Sequence, residues 1–146
     1  MTFCLRSAVE ADRAFLYALH CRTMRGMIEQ TWGWDESWQQ EDFDRRFREY
    51  TVSIIEKDGR AAGALLLELK PDSIYIHEVQ VLPEHQGLGI GRAVVQWVIA
   101  QAASRGVGVT LSVLEVNPRA RQLYERLGFQ VTAFEAPFFR MRHDAR

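Results

Sequence analysis

The chain has little of what several protein classes require. Only two cysteines occur in 146 residues, Cys4 and Cys21, far apart and without metal-ligand spacing, so neither a disulfide framework nor a cysteine-based metal site is expected. A reducing, cytoplasmic compartment is the expectation. No run of about 18 apolar residues is present to span a bilayer, and Glu10, Asp12 and Arg13 interrupt the stretch a signal peptide would need, so no membrane partner is expected. Neither sign of charge dominates, with 18 Lys plus Arg against 19 Asp plus Glu, which removes the basic field of a nucleic-acid binder. No Gly-Lys pair occurs, so a Walker phosphate loop is excluded. Internal repeats and low-complexity segments are also lacking. What remains is a hydrophobic share of 47% over a length that suits one domain spanning residues 1–146.

Taken in order, Thr2 to Arg6 reads as a short strand, and Ser7-Ala8-Val9-Glu10 as a capping box with Ser7 as N-cap, opening a helix through about Arg25. Phe15, Leu16, Leu19 and Met24 give that helix an apolar face; His20 and Cys21 read as helix residues without chemistry. Gly33 is a break, and Asp35-Glu36-Ser37 opens a second helix from Trp38 to about Arg48. Thr51 to Glu56 and Ala61 to Lys70 form a hairpin around Lys57-Asp58-Gly59-Arg60, because Asp-Gly suits the tight turn. Ile74 to Leu82 is a strand, Ala93 to Arg105 a helix, and Val109 to Val116 a β-branched strand. Asn117-Pro118 caps a helix that Gly128 ends, and Phe129 to Ala133 and Phe138 to Met141 close with β character.

Between the Ile74 strand and the Ala93 helix lies His85-Gln86-Gly87-Leu88-Gly89-Ile90-Gly91-Arg92. Glycines at alternate positions of a strand-to-helix turn let backbone N–H groups approach a ligand, and the helix start adds unpaired donors and its positive dipole end. The turn is therefore an anion site suited to phosphate or pyrophosphate. A dinucleotide fingerprint fails in both registers, since Arg92 or Val94 would have to be glycine. The spacing that does fit is Gln-x-x-Gly-x-Gly at Gln86, Gly89 and Gly91.

That loop resembles the acyl-coenzyme A pyrophosphate loop of the GNAT family of N-acetyltransferases. A second motif lies about 30 residues on: Asn117, Ala120, Leu123, Tyr124, Gly128 and Phe129 stand at every position of the family's Asn-x-x-Ala-x-x-Leu-Tyr-x-x-x-Gly-Phe element. The element order β-α-α-β-β-β-α-β-α-β is similar to the family's fold, an α/β arrangement with a mixed, partly splayed β-sheet flanked by helices. The resemblance implies acetyl-CoA as acyl-donor cosubstrate and no metal. Gln86, Gly87, Leu88, Gly89, Ile90, Gly91 and Arg92 would meet the pyrophosphate, with solvent as the alternative for Arg92. Val79, Gln80 and Val81 would offer free backbone groups to pantetheine and the acetyl carbonyl, and Asn117 would bond pantetheine.

For chemistry, the resemblance points Tyr124 at the thioester sulfur. A phenol with pKa about 10 can protonate a departing thiolate while itself neutral beforehand. The attacking amine must lose a proton, and the family often draws a base from the strand before the loop. His77, ordinarily of pKa about 6.5, is the first choice and Glu78 the second, with water-mediated proton loss as a further route. Simple alternation places Tyr75 and His77 on one face of that strand and Ile76, Glu78 and Gln80 on the other.

Acceptor recognition falls to residues 26–50, where three of the four tryptophans stand within seven residues, Trp32 to Trp38. Glu29, Trp32, Trp34 and Asp35 are the candidate acceptor-binding residues, aromatic walls with carboxylates to attract an amine, whereas Glu41 and Asp42 read as a solvated helix face. The favoured acceptor is a small-molecule primary amine. A protein or peptide amine, another acyl group, a non-catalytic acyl-CoA-binding or sensing domain, and an interaction module using the tryptophans stay open, as does a homodimer.

Overall fold

The computed structural model describes residues 2–146. A seven-stranded sheet carries the chain, in spatial order β1-β2-β3-β4-β5-β7-β6: β1 Cys4–Ser7, β2 Thr51–Lys57, β3 Arg60–Leu69, β4 Ser73–Val81, β5 Gly108–Leu114, β6 Gln130–Glu135 and β7 Phe138–His143. Only β4 and β5 pair in parallel; the other neighbours are antiparallel. Among the described residues four α-helices flank it: α1 Arg13–Thr31, α2 Glu36–Glu49, α3 Ile90–Ser104 and α4 Pro118–Arg126. The expected mixed sheet and element order are found, with the chain's last β region resolved into the β6–β7 hairpin.

Each sheet face has its own core. On one side Ile55, Leu65, Ile74, Ile76, Val109 and Met141 meet Val94, Val95 and Val98 of α3. On the other, Leu16 and Leu19 of α1 and Phe43 and Phe47 of α2 cover Ile54, Ala64 and Leu66. The β2–β3 turn has Asp58 at φ 53° and Gly59 at φ 75°, the two left-handed residues of the tight hairpin type that Asp-Gly favours.

Two boundaries differ from expectation. Ser7 caps nothing: it ends β1 opposite Ser53, and the Val9 N–H donates instead to Asp12 Oδ2 (2.8 Å), whose carboxylate also takes a two-pronged contact from Arg6. α1 runs on through Gly26 to Thr31. Gly26 costs about 1 kcal/mol of helix propensity, and burial of Ile28 together with the Thr31 hydroxyl donating to Met27 O offsets it. The helix stops where Gly33, at φ 83°, donates its N–H to the carbonyls of Ile28 and Glu29, a glycine C-terminal cap.

Candidate active site

The parallel ladder between β4 and β5 ends at Ile76 opposite Leu111. Beyond that rung β5 stays paired to β7 through Leu114, while residues 77–81 of β4 continue beside β3, so the sheet splits and the β5-facing edge of β4 carries no ladder partner. An unpaired strand edge is a row of N–H and C=O groups available to a ligand. This is the splay expected at Val79, Gln80 and Val81.

The β3–β4 register slips at the same place: Leu67 faces Ile76 and Leu66 faces Glu78, leaving His77 as the extra residue of a bulge. Simple alternation fails there, and this corrects the face assignment. Ile76 and, past the bulge, Val79 and Val81 pack toward α3 and α4, whereas Glu78 and Gln80 turn toward α1 and α2. The bulge thereby separates Ile76 from Glu78.

A cavity of about 850 Å³ opens at the split, bounded by α1, α2, β4, β5, α4 and β7. His77, Glu78 and Tyr124 all line it, as do Val79 and Asn117. The His77 Nε2–H donates to Glu68 Oε1 (2.9 Å), since an ionised carboxylate can only accept, and the neutral ring then keeps its lone pair on Nδ1. The imidazole lies against Tyr50 with ring centroids 3.8 Å apart. Burial, against the pull of Glu68, lowers its pKa and favours the neutral base form. Glu78 pairs with Arg46 at 3.2 Å. Burial, and secondarily the Glu78 charge, raise the Tyr124 pKa, so the phenol is held protonated. The Asn117 Oδ1 caps α4 by accepting from the Ala120 N–H (3.2 Å), which leaves its amide N–H₂ for the cavity.

The glycine turn sits at the far end of the free β4 edge, outside the cavity lining, after a short 3₁₀ turn Pro83–His85. Gly87 and Gly89 have φ 79° and 81°, and Gly89 is the N-cap of α3. Gly87, Leu88 and Gly89 are exposed, and Arg92 is exposed in the first turn of α3. At three of the expected positions the side chain is engaged elsewhere, so only the backbone is left to meet a ligand. The Ile90 side chain is 1% exposed in the core; that of Gln80 is 6% exposed beneath α1 and α2; and the Gln86 amide is spent on Val81 O (2.9 Å).

Of the candidate acceptor residues, Trp32 and Asp35 line the cavity. Glu29 and Trp34 lie outside the lining: Glu29 accepts from Arg25 (2.6 Å), and Trp34 donates from Nε1 to Glu36 Oε2 (2.6 Å) with its ring near His20 and under Arg25. Asp35 also caps α2 by accepting from the Trp38 N–H (3.0 Å). Asp42 is no free solvated residue, because it lines the cavity and accepts from Arg45 (2.8 Å). Sequence reasoning missed Gln39, Tyr50, Ser112, Phe138 and Arg140, all in the lining. Their local patterns are ordinary; only sheet register and the packing of α1 on α2, where buried His20 bonds Gln39 (2.9 Å), bring them together.

The profile of the Acetyltransferase (GNAT) family matches residues 13–129. This chain belongs to the GNAT acetyltransferase family. This GNAT protein is 37% identical over 84 residues to N-alpha-acetyltransferase 40 of Saccharomyces cerevisiae, covering 52% of its own length and 30% of that protein. It is 31% identical over 102 residues to streptothricin acetyltransferase of Streptomyces lavendulae, covering 68% of itself and 52% of the relative. It thus spans about a third to a half of the length of these curated relatives. In fold it superposes on PaiA N-acetyltransferase of Thermoplasma acidophilum in complex with coenzyme A with TM-score 0.79, at 14% identity and 99% coverage of both chains. Among the described residues no helix is long and apolar enough to cross a membrane, and no group of His, Cys, Asp or Glu is placed to hold a metal ion.

Proposed function

We propose that this GNAT chain is an N-acetyltransferase that moves the acetyl group of acetyl-coenzyme A to a primary amine by direct attack, with a small molecule as acceptor. The observation that carries the reading is the free edge of β4, which runs from the exposed glycine turn to the cavity lined by Tyr124. Such an edge fits the donor: N–H groups of the turn and of the α3 start for the pyrophosphate, strand amides for pantetheine, and an N–H to polarise the acetyl carbonyl. The amine nitrogen attacks the carbonyl carbon, the C–S bond breaks, Tyr124 gives its proton to the sulfur, and the new amide's surplus proton goes to His77 Nδ1 directly or through water. The relatives' names, acetyltransferases of quite different acceptors, support the donor half more than any one acceptor. Cys4 and Cys21 are free thiols, which supports a reducing, cytoplasmic location as part of the same reading.

Calorimetric titration with coenzyme A tests the donor half, and amine-dependent release of free thiol from acetyl-coenzyme A tests transfer. Heat of binding together with thiol release is the expected result; binding without transfer to any amine would make the chain a sensor, and no binding at all would remove the reading.

His77 makes a further prediction. A base must be neutral, and burial shifts its pKa below the ordinary value of about 6.5, so the His77 limb of the kcat/KM profile should lie on the acid side of that value. His77→Asn should lower kcat/KM about 10²-fold or more and abolish that acid limb, read from a pH–rate profile. An unchanged limb in His77→Asn, lost instead in Glu78→Gln, would transfer the role to Glu78.

A further inference from the structure

The cavity has three arginines in its wall, and their partners differ. Arg45, itself partly exposed, is held between Asp42 (2.8 Å) and Glu49 (3.0 Å), and Arg46 pairs with Glu78, these last two each with less than a fifth of the side chain exposed. Inside, Arg140 meets a hydroxyl: its Nη1 donates to Ser112 Oγ (2.7 Å), which also accepts from Tyr75 Oη (2.8 Å). Its carboxylate partner, Glu135 at 3.2 Å, is 61% exposed and lies outside the lining, a pairing that water and salt weaken. The Arg140 charge is therefore presented to the cavity without a carboxylate beside it there.

Sheet register explains the placement. Ser112 is the first β5 residue past the last β4–β5 rung, and it lies opposite Arg140 on β7, so hydroxyl and guanidinium meet at the fork of the split sheet. Both Ser112 lone pairs are taken by the two donors, which leaves its own proton to give. Tyr75 continues the string to His77, ring centroids 4.6 Å apart, and Lys70 Nζ lies 4.9 Å from the Tyr75 ring centroid, adding positive potential to this wall. A fork of guanidinium N–H groups next to a hydroxyl donor matches a carboxylate.

We propose that the acceptor amine carries a carboxylate, an amino-acid type of molecule, and that Arg140 and Ser112 hold that carboxylate while the amine is presented beside His77. The proposal rests on the transferase reading above and narrows its acceptor. The rival within the same cavity is Asp35, flanked by the exposed rings of Trp32 and Trp38, which would favour a second cationic group instead.

Two acceptor pairs that differ by the carboxylate alone decide it: L-ornithine against putrescine and L-lysine against cadaverine, followed by thiol release from acetyl-coenzyme A. The expected kcat/KM ratio favours the amino acid by about tenfold or more, the scale of one charge-assisted hydrogen bond. Arg140→Gln should collapse the ratio toward one through the amino-acid KM, Arg140→Lys should give an intermediate ratio, and Glu135→Gln should hold or raise it; melting curves confirm that the variants fold. A wild-type ratio at or below one, a ratio that survives Arg140→Gln, or coenzyme A binding with neither member of the pairs acetylated overturns the proposal. Acetylation of diamines without preference removes only the carboxylate site, whereas absence of coenzyme A binding removes the transferase reading itself.

Discussion

Tyr124→Phe should cut kcat by about 10²-fold or more while leaving coenzyme A affinity within a few-fold of wild type. The substitution removes one oxygen from a half-buried ring that packs edge-on against Phe129 at 5.5 Å, so the packing survives. The residue lines the cavity, so its hydroxyl can be removed without opening the core and folding stability should hold. The loss therefore falls on the transfer step, where a thiolate would leave without a proton. Burial and the nearby Glu78 charge raise the phenol's pKa, and the sign matters: the acid form persists to higher pH than an ordinary tyrosine's value of about 10. Any basic limb of kcat below about pH 10 should accordingly belong to another group and survive in Tyr124→Phe. Wild-type kcat in the variant across pH would strip Tyr124 of the acid role.

The parts of this architecture that depend on short stretches of chain were readable from those stretches. The glycine turn, the Asn117 cap with Pro118 behind it, the Asp58-Gly59 hairpin and Tyr124 one helical turn past Ala120 are all local patterns, and each takes the backbone conformation its residues favour. Features that depend on pairing between distant strands were not readable. The His77 bulge exists because β3 and β4 slip by one residue, and no single-strand alternation can register a slip. Arg140 reaches Ser112 across 28 residues of sequence because β5 and β7 are neighbours, and β7 alone shows only Phe-Phe-Arg-Met-Arg. The tryptophan segment failed for another reason. Aromatic and acidic residues in a loop announce a pocket wall without saying which rings face it, and here Trp34 turns to Glu36 while Trp32 meets Phe138 across the cavity rim at 5.9 Å.

Gly63→Ala and Gly26→Ala should move stability in opposite directions although the substitution is the same. Gly63 lies in β3 opposite Val81, and a Cβ there would collide with Gln80 O and come 3.1 Å from Gln80 C and Val81 Cα. Every obstructing atom is backbone, so no side-chain rotation relieves the contact and β4 must be displaced from β3. The expected cost is about 3 kcal/mol, toward the upper end for overpacked sites, or roughly 10 °C in Tm. The displaced stretch is also the free edge proposed to hold the donor, so coenzyme A affinity measured well below Tm should fall as well. Gly26, exposed in α1 with nothing within 4 Å of its added Cβ, should instead gain about 0.5–1 kcal/mol as alanine, from helix propensity and a less flexible unfolded chain, with coenzyme A affinity unaltered. Calorimetric melting of the two variants separates these signs, and a Gly63→Ala protein that melts and binds like wild type would mean that the close approach of β3 to β4 plays no part in shaping the donor edge.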